Sequence, residues 1–406
     1  MYLTKSPHRV IPATLHCWQI LFSGHMFEVI NIRIVLLLLA NTIFINAVHA
    51  ENGVSRSQIL IGQNISLEGG KNTYGSAVLD GVKTYMDKIN KAGGIYGRQI
   101  KFQIRDDDAK ATKAEENTLK LIKEDKVFVV FGSIEGGPST AVMKVTTEQG
   151  VPFIAPMAGP PTLRTPHNPL VFPVRAEHKN EFEVILQHAA TSGFKRVAFM
   201  RASSEVGKMH LENVKKISQK LGLEVVVDLA FSGSPDDSQL GTMVKLIESQ
   251  KISAVMNHGS ISAYEKLIRK VRVNNASVVF YGVNSGSTQL AEKLGSLAVG
   301  MGFTQVVPNP RVGSSIISRL FLVDFRAAFP EKTPSYGALE GYMSAWILAE
   351  AIKRAGSNPT RDSLVAGLRN SELSAGGIPV VFKSGYHAGS NFVDLSVVSA
   401  SGVIRH

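Results

Sequence analysis

Two short stretches of this sequence concentrate side chains that could do chemistry. Asp106, Asp107 and Asp108 form a dense carboxylate cluster at the end of a predicted strand. Such a cluster could hold a cation, but a position just before a helix favours acceptance of backbone amide hydrogen bonds. The RASSEVG stretch at 201–207 contains two serines without a neighbouring base. We therefore expect its hydroxyls to hydrogen-bond a bound molecule and not to act as nucleophiles.

Sequence signatures of enzymes are missing elsewhere in the chain. The sequence contains no G-x-S-x-G, G-x-G-x-x-G, G-x-x-x-x-G-K or H-E-x-x-H pattern. Its histidines stand apart, so no metal-ligand spacing is visible, although residues distant in sequence could still converge. We expect a protein that is not an enzyme, with no catalytic residue, metal or cofactor.

The composition is that of a globular protein. The chain has 406 residues, 44% of them hydrophobic, which is enough for about two to three domains. Its net charge of +11 raises the question of nucleic acid. Lysines are spread over the predicted helix faces, as in VKKISQK, instead of forming a basic patch. We therefore expect no nucleic acid partner.

The first fifty residues resemble a targeting segment. An apolar run at 34–40 is followed by a V-x-A cleavage pattern at 48–50, and Met26 would begin a signal peptide of ordinary length. We expect residues 1–50 to be a signal peptide with a spurious extension from an upstream start, cleaved near Ala50 on export. The single cysteine, Cys17, lies in this segment, so the exported chain should contain no disulfide.

The elements that would position a site begin with the stretch from 127 to 161. An apolar run, a break at Gly136 and Gly137, an amphipathic run and a second apolar run predict a parallel βαβ unit. Both loops lie at the carboxyl ends of their strands, where open parallel sheets bind ligands. The glycines could admit a ligand to the backbone or could simply turn the chain.

The same alternation continues through the rest of the chain. It predicts strands such as 58–65, 99–106 and 196–200, separated by amphipathic helices. Ser262 and Glu265 fit a capping box for one of these helices. The alternating segments are too many for one doubly wound sheet. We therefore predict two α/β lobes that are connected by several short crossings of the chain and bind the ligand between them.

Four motifs resemble the periplasmic substrate-binding proteins of branched-chain amino acid type ABC transporters, over 55–406. They are IGQNISLEGGKNTYG, INKAGGIYGRQIKFQIRDDDAK, VVFGSIEGGPSTAV with EQGVPFIAP, and SYGALEGYMSAWILAEAIKRAG. The resemblance implies a type I periplasmic binding fold of α/β class. Its two doubly wound parallel-sheet lobes would be joined by three crossovers, near Arg175, Asn284 and Gly377. One lobe would comprise 57–175 plus 287–376, and the other 177–285 plus 377–406.

The resemblance also implies a ligand site made by both lobes. Carried over by position, the site residues are Tyr74, Glu135, Gly136, Gly137, Ala158, Gly159, Ser204, Glu205, Gly259, Ser260 and Asn284. Glu340 could reach the cleft or brace the hinge, and His258 could line the pocket or bond to backbone.

Several of these residues depart from the amino acid binding pattern. Gly136 and Gly159 stand where amino acid binders carry hydroxyls, and Ser260 stands where they carry a tyrosine. Asn284 replaces the acid that meets the ligand ammonium, and a neutral amide makes a poorer counterion. Glu135 could supply the missing charge or could be a solvated acid at a helix start. The chain thus resembles a branch with a degraded amino acid site.

The resemblance implies a monomeric solute-binding component of an ABC importer. It would capture a small polar ligand (an amino acid, amide or carboxylate) by lobe closure. It would then deliver the ligand to the permease and ATPase subunits of the inner membrane. An exported ligand sensor of the same fold, reporting to a membrane receptor, is the alternative.

Overall fold

The computed structural model describes residues 51–406 except 276, 285, 403 and 406. The predicted signal peptide and upstream start therefore lie outside the described residues. In the part of the chain that is described, no helix is both long and apolar enough to cross a membrane.

Strands and helices alternate along most of the described chain, which confirms the predicted α/β class. The strands are β1 (Gln58–Ile65), β2 (Gln99–Asp106), β3 (Val129–Phe131), β4 (Phe153–Ile154), β5 (Val171–Phe172), β6 (Arg196–Ala202), β7 (Glu224–Phe231), β8 (Ala254–His258), β9 (Val279–Gly282), β10 (Gly302–Gln305), β11 (Ser371–Ala375), β12 (Ile378–Lys383), β13 (Tyr386–Gly389), β14 (Asp394–Val398) and β15 (Ile404–Arg405). The helices are α1 (Thr73–Lys91), α2 (Ala111–Lys123), α3 (Gly136–Glu148), α4 (His178–Thr191), α5 (Glu205–Lys220), α6 (Asp237–Ser249), α7 (Ile261–Asn274), α8 (Ser287–Leu294), α9 (Ile316–Ala328), α10 (Tyr336–Arg354) and α11 (Arg361–Leu368).

The first sheet is parallel and has the strand order β2-β1-β3-β4-β5. Its strands β3 and β4 are apolar throughout because helices cover both faces of the sheet. Phe131 packs in the cluster that contains α1 and α10, whereas its neighbour Val130 packs in the cluster that contains α2 and α3. This arrangement is the doubly wound one that the sequence predicts.

The second sheet has the order β15-β14-β10-β9-β8-β6-β7. Strands β6 to β10 run parallel, and β14 and β15 add an antiparallel edge. Here too the side chains alternate between two cores. Met200 packs in the cluster that contains α6, α7 and α8, and Phe199 packs in the cluster that contains α4 and α5.

A small antiparallel sheet, β11-β12-β13, packs with the first sheet. Leu373, Val380 and Phe382 belong to the same apolar cluster as α1 and α10.

Strand pairing differs from two of the predicted lobe boundaries. β10 pairs with β9, and α8 packs in the core of the second sheet, so 287–305 do not join the first sheet as predicted. Residues 377–389 pack with the first sheet instead of the second. The chain therefore passes between the two large sheets at 173–177, at 306–315 and at 390–393. The predicted lobe boundaries were wrong here because the sequence patterns of α8 and β10 are local. Such patterns indicate a helix and a strand but do not show which sheet they join.

Candidate functional site

Helices α1 and α10 approach each other closely because each contributes a glycine to the contact. A Cβ atom at Gly81 would lie 1.8 Å from a backbone oxygen of α10, and one at Gly341 would lie 2.1 Å from a backbone oxygen of α1. This approach brings the first turns of the two helices together. As a result, the hydroxyl of Tyr74 donates a 2.6 Å hydrogen bond to Glu340 Oε2, and both residues are buried.

The carboxylate cluster after β2 holds the loop that leads into α1. Asp106 accepts backbone hydrogen bonds from Leu67 and Gly69, each at 2.9 Å. Asp107 accepts a 2.6 Å hydrogen bond from the hydroxyl of Ser66. Burial acts to raise the pKa of Asp106, but the backbone donors outweigh it and hold that pKa at about 2. These acids bond to backbone amides, as predicted, but the amides belong to the loop before α1 and to residues 108 and 109. They do not belong to the first turn of α2, whose N-cap residue Lys110 makes no side-chain cap.

Asn284, which follows β9, connects the two large sheets. Its side-chain nitrogen donates a 2.8 Å hydrogen bond to Glu340 Oε2, on a helix packed with the first sheet. Its backbone N–H donates to Glu181 Oε1 at 3.0 Å. Asn284 also lies 3.5 Å from the hydroxyl of Tyr74. Two residues predicted for the site, one from each lobe, therefore meet at a shared carboxylate.

Buried charges surround this contact. Arg175 Nη2 lies 2.6 Å from Glu181 Oε2, and Arg175 Nη1 lies 3.7 Å from Glu340 Oε1. Glu181 also accepts hydrogen bonds from Thr304 (3.0 Å) and contacts His178 Nδ1 (2.7 Å). Burial alone would lower the pKa of Arg175, but the two carboxylates raise it above its ordinary value. Burial raises the pKa of Glu340, against the opposing effect of Arg175.

Three polar atoms of this group have no hydrogen-bond partner. They are Arg175 Nη1, Glu340 Oε1 and Asn284 Oδ1, one donor and two acceptors. All three side chains are almost fully buried. Arg175 Nη1 and Glu340 Oε1 lie 3.7 Å apart as an ion pair, too far for a hydrogen bond, so these two atoms and Asn284 Oδ1 keep unused hydrogen-bonding capacity.

The loop before α3, in the first lobe, faces the start of α5 in the second lobe. A Cβ atom at Gly136 would lie 3.9 Å from Val206 Cγ1, which is ordinary contact distance across the cleft. Glu135 adopts a positive φ of 67° and is exposed, and desolvation together with the neighbouring acids Glu68 and Asp107 raises its pKa. Gly137 is exposed, with space around it for a Cβ. None of these three residues hydrogen-bonds to the group around Glu340.

Two other predicted glycines are packed against rings. A Cβ atom at Gly159 would lie 2.8 to 3.0 Å from atoms of His178, so the imidazole fills the space of a side chain at 159. A Cβ atom at Gly259 would lie 3.0 Å from the ring of Phe231. Ala158 packs its side chain into the core between the first sheet and α2 and α3.

The predicted polar residues of the second lobe serve the helices that they begin. Ser204 accepts a 3.1 Å hydrogen bond from the backbone of Gly207, and Ser260 accepts one of 3.3 Å from Ala263. The exposed Glu205 pairs with Lys208 at 2.7 Å. In this conformation these hydroxyls are N-caps, and the N-cap of α7 is Ser260 and not the predicted Ser262.

Three histidines converge beside this group, although they are far apart in sequence. His178, His210 and His258 each offer a ring nitrogen, and these nitrogens lie within 4.8 Å of one another. His210 and His178 are buried, and His258 is partly exposed. Burial lowers the pKa of each, to about 4 for His258. The sequence suggested only that His258 could line a pocket.

Sequence reasoning missed most of the charged centre. Arg175 was named only as the position of a crossover between lobes. Glu181, His178 and His210 were not singled out. One signal was present, because RAEHKNE places several charged or ionisable residues in a segment between two apolar elements. Glu340 was recognised as able to reach the cleft, and the structure places it at the centre of the group.

Two α/β sheets with polar residues meeting between them are the architecture of a two-lobed binding protein. The family described as periplasmic binding protein matches residues 58–402. The chain belongs to this family, which confirms the resemblance. A curated relative is the Leu/Ile/Val-binding protein BraC3 of Rhizobium johnstonii, 25% identical over 78% of this chain and 85% of the relative.

Solved structures agree with this assignment. An extracellular ligand-binding receptor from Verminephrobacter eiseniae superposes with a TM-score of 0.77 at 25% identity, covering 86% of this chain and 100% of the other. A solute-binding protein of an ABC transporter from R. palustris, solved in complex with benzoate, superposes with a TM-score of 0.74 at 20% identity, covering 86% and 95%. The type I periplasmic binding fold is thus confirmed, and the relatives are binding proteins and not enzymes.

Proposed function

We propose that this protein is the periplasmic solute-binding component of an ABC importer. It captures a small organic ligand that carries a carboxylate, amide or amino group, and it works as a monomer that delivers the ligand to inner-membrane permease and ATPase subunits. The observation that carries this proposal is the buried group of Tyr74, Arg175, Asn284 and Glu340, which joins the two sheets and keeps polar atoms without hydrogen-bond partners.

Lobe closure follows from the position of this group. A ligand stabilises a closed state only through contacts that the open state lacks. Asn284 follows a strand of the second sheet, whereas Tyr74 and Glu340 lie on helices of the first. A molecule that bonds to both sides gains its full contacts only when the lobes meet. The three crossing segments are the hinges of this proposal.

The unpaired atoms indicate the chemistry of the ligand. Arg175 Nη1 would bind a carboxylate or carbonyl oxygen, and Glu340 Oε1 with Asn284 Oδ1 would accept N–H donors. Glu340 thereby offers, from the other lobe, the acid that is missing at 284. The name of the Rhizobium relative and the benzoate complex both concern molecules with a carboxylate, which supports testing this class first.

Calorimetry and thermal shift would test the ligand class. The panel comprises L-leucine, L-isoleucine, L-valine, their amides and benzoate. A true ligand at 100 times its Kd should add about 2.7 kcal/mol to the free energy of unfolding. We expect Asn284→Ala to weaken its binding at least tenfold, and Glu135→Gln, outside the buried group, to change it little.

Two results would contradict the proposed site. One is tight binding of an ordinary branched-chain amino acid that persists in Asn284→Ala. The other is equal loss of affinity in Glu135→Gln and Asn284→Ala. Glu340→Gln separates the ligand types, because it should weaken an N–H donor far more than benzoate. Each variant is first melted without ligand, so that loss of binding is distinguished from loss of folding.

Transport is tested with the ligand-loaded protein and membranes from its source. Stimulation of a reconstituted permease's ATPase supports the importer. Binding to a receptor domain without such stimulation supports an exported sensor of the same fold instead.

A further inference from the structure

The three histidines His178, His210 and His258 come from separate elements of the second lobe. His178 begins α4, His210 lies within α5, and His258 ends β8. Their ring centroids are 4.0 to 5.3 Å apart. The convergence therefore depends on the tertiary fold and not on a local repeat.

Hydrogen bonding leaves both ring nitrogens of His210 without a partner and gives Nε2 of His178 only a long contact. Neither ring nitrogen of His210 has a hydrogen-bond partner, although the residue is fully buried. His178 bonds through Nδ1 to Glu181 at 2.7 Å, which leaves Nε2 as the nitrogen available to a further partner. The present contact of Nε2 is a long one of 3.3 Å from the backbone N–H of Gly159.

These features are those of a ligand set and not of ordinary core packing. A buried imidazole with two unpaired nitrogens is costly unless something binds it. Neutral imidazole is the form that binds metals, and burial favours the neutral form over the charged one. A carboxylate on the far nitrogen of a metal-binding histidine, here Glu181, fixes the tautomer and raises ring basicity.

We propose that His178, His210 and His258 bind a divalent transition-metal ion of the zinc type, with Glu181 as the carboxylate that orients His178. Three imidazoles leave a fourth position of a tetrahedral ion open. Imidazole ligands suit zinc, copper and nickel and disfavour magnesium and calcium. The three histidines are not members of the proposed ligand group, although Glu181 contacts both sites through His178 and Arg175. Metal binding is therefore measured directly, and the inference stands whether or not transport is confirmed.

Binding requires a small contraction of the site. Zinc–nitrogen bonds of about 2.0–2.1 Å hold tetrahedral ligand atoms roughly 3.4 Å apart, so nitrogens at the 4.8 Å limit must approach by about 1.4 Å. His258, at a strand end and partly exposed, is the residue with most freedom to move. His178 Nε2 must exchange its long contact with Gly159 for the metal.

The test uses protein purified without a polyhistidine tag and stripped of metal with a chelator. Zn²⁺ alone is titrated by calorimetry, and X-ray absorption of the zinc-loaded protein counts the ligands. We expect one tight site per chain with three imidazole nitrogens at about 2.0–2.1 Å. Co²⁺ should give the strong visible absorption of a tetrahedral ion.

Variants assign the site to these residues. His258→Gln and His210→Gln should each weaken Zn²⁺ binding at least tenfold. His188→Gln, a histidine on the same helix as His178 but outside the cluster, should leave it unchanged. If a variant fails to fold, the ligand count of the unaltered protein still decides. Zinc bound by fewer than three imidazoles, binding equally reduced by His188→Gln, or no tight site at all would overturn the proposal.

Discussion

At the scale of the residue, the glycine at position 159 is explained by the histidine that packs against it. The backbone groups of Gly159 pair with His178, whose backbone N–H donates to Gly159 O at 2.9 Å. The imidazole then occupies the space in which a Cβ would stand. The glycine that departs from the amino acid binding pattern is therefore matched by a histidine that sequence reasoning did not connect to it.

Gly159→Ala should destabilise the protein by about 1–3 kcal/mol, because the new methyl group would collide with a buried ring. Urea unfolding measures the loss. The matched control is Gly137→Ala, where nothing lies within 4 Å of the new Cβ, and the expected change is within about 0.5 kcal/mol. Equal effects of the two substitutions would refute the packing argument.

Asp106→Asn should cost about 1–2 kcal/mol near neutral pH, because charge-assisted bonds to backbone amides are lost. The folded-state pKa of about 2 lies below the ordinary 3.8, so the stabilisation is complete above about pH 4 to 5 and disappears as pH falls towards 2. Unfolding of both proteins across this range measures the difference.

The control for this pH series is Asp237→Asn, since the Asp237 side chain is 90% exposed and its ion pair with Lys270 is at the surface. We expect less than about 0.5 kcal/mol from it. A wild-type advantage over Asp106→Asn that persists at pH 2 would exclude the proposed bonding of Asp106.

At the scale of the element, the contact between α1 and α10 determines where Tyr74 and Glu340 meet. The pattern of glycines in SYGALEGY and in LDGVK is visible in the sequence. Which helix each glycine faces is not visible, because a glycine in a helix can mark any close approach. The contact was therefore found only in the folded chain.

Gly81→Ala should destabilise the protein by about 3 kcal/mol or more, because its Cβ would lie 1.8 Å from a backbone oxygen that cannot rotate away. Gly241→Ala, in the open face of α6, is the matched control and should stabilise by about 0.4–1 kcal/mol. Denaturant midpoints at constant m-value compare the two. A neutral Gly81→Ala would mean that the helices are not in close contact.

At the scale of the whole molecule, the proposed function depends on relative movement of the lobes. Gly136 and Val206 face each other across the cleft at contact distance. The chain's single cysteine, Cys17, lies outside the described residues, so two introduced thiols have no competitor among those residues. The pair offers a way to lock the lobes together.

A Gly136→Cys, Val206→Cys double variant should form a disulfide, because a Cβ at 136 would lie 3.9 Å from Val206 Cγ1, the branch of the valine that a cysteine sulfur at 206 can replace. Small-angle scattering without ligand should give the oxidised variant a smaller radius of gyration than the reduced one. Each single variant is a control. Identical radii with a formed disulfide would argue against an open state.

The sequence by itself determined the α/β class, the doubly wound sheets and most element bounds. Continuous apolar strands, amphipathic helices and terminating glycines are local patterns, and family motifs carry the same information. Only the tertiary structure decided the lobe membership of α8, β10 and residues 377–389, the joining of Tyr74, Asn284 and Glu340, and the three-histidine cluster. These depend on which distant elements become neighbours, and chain crossings determine that without leaving a periodic signal in the sequence.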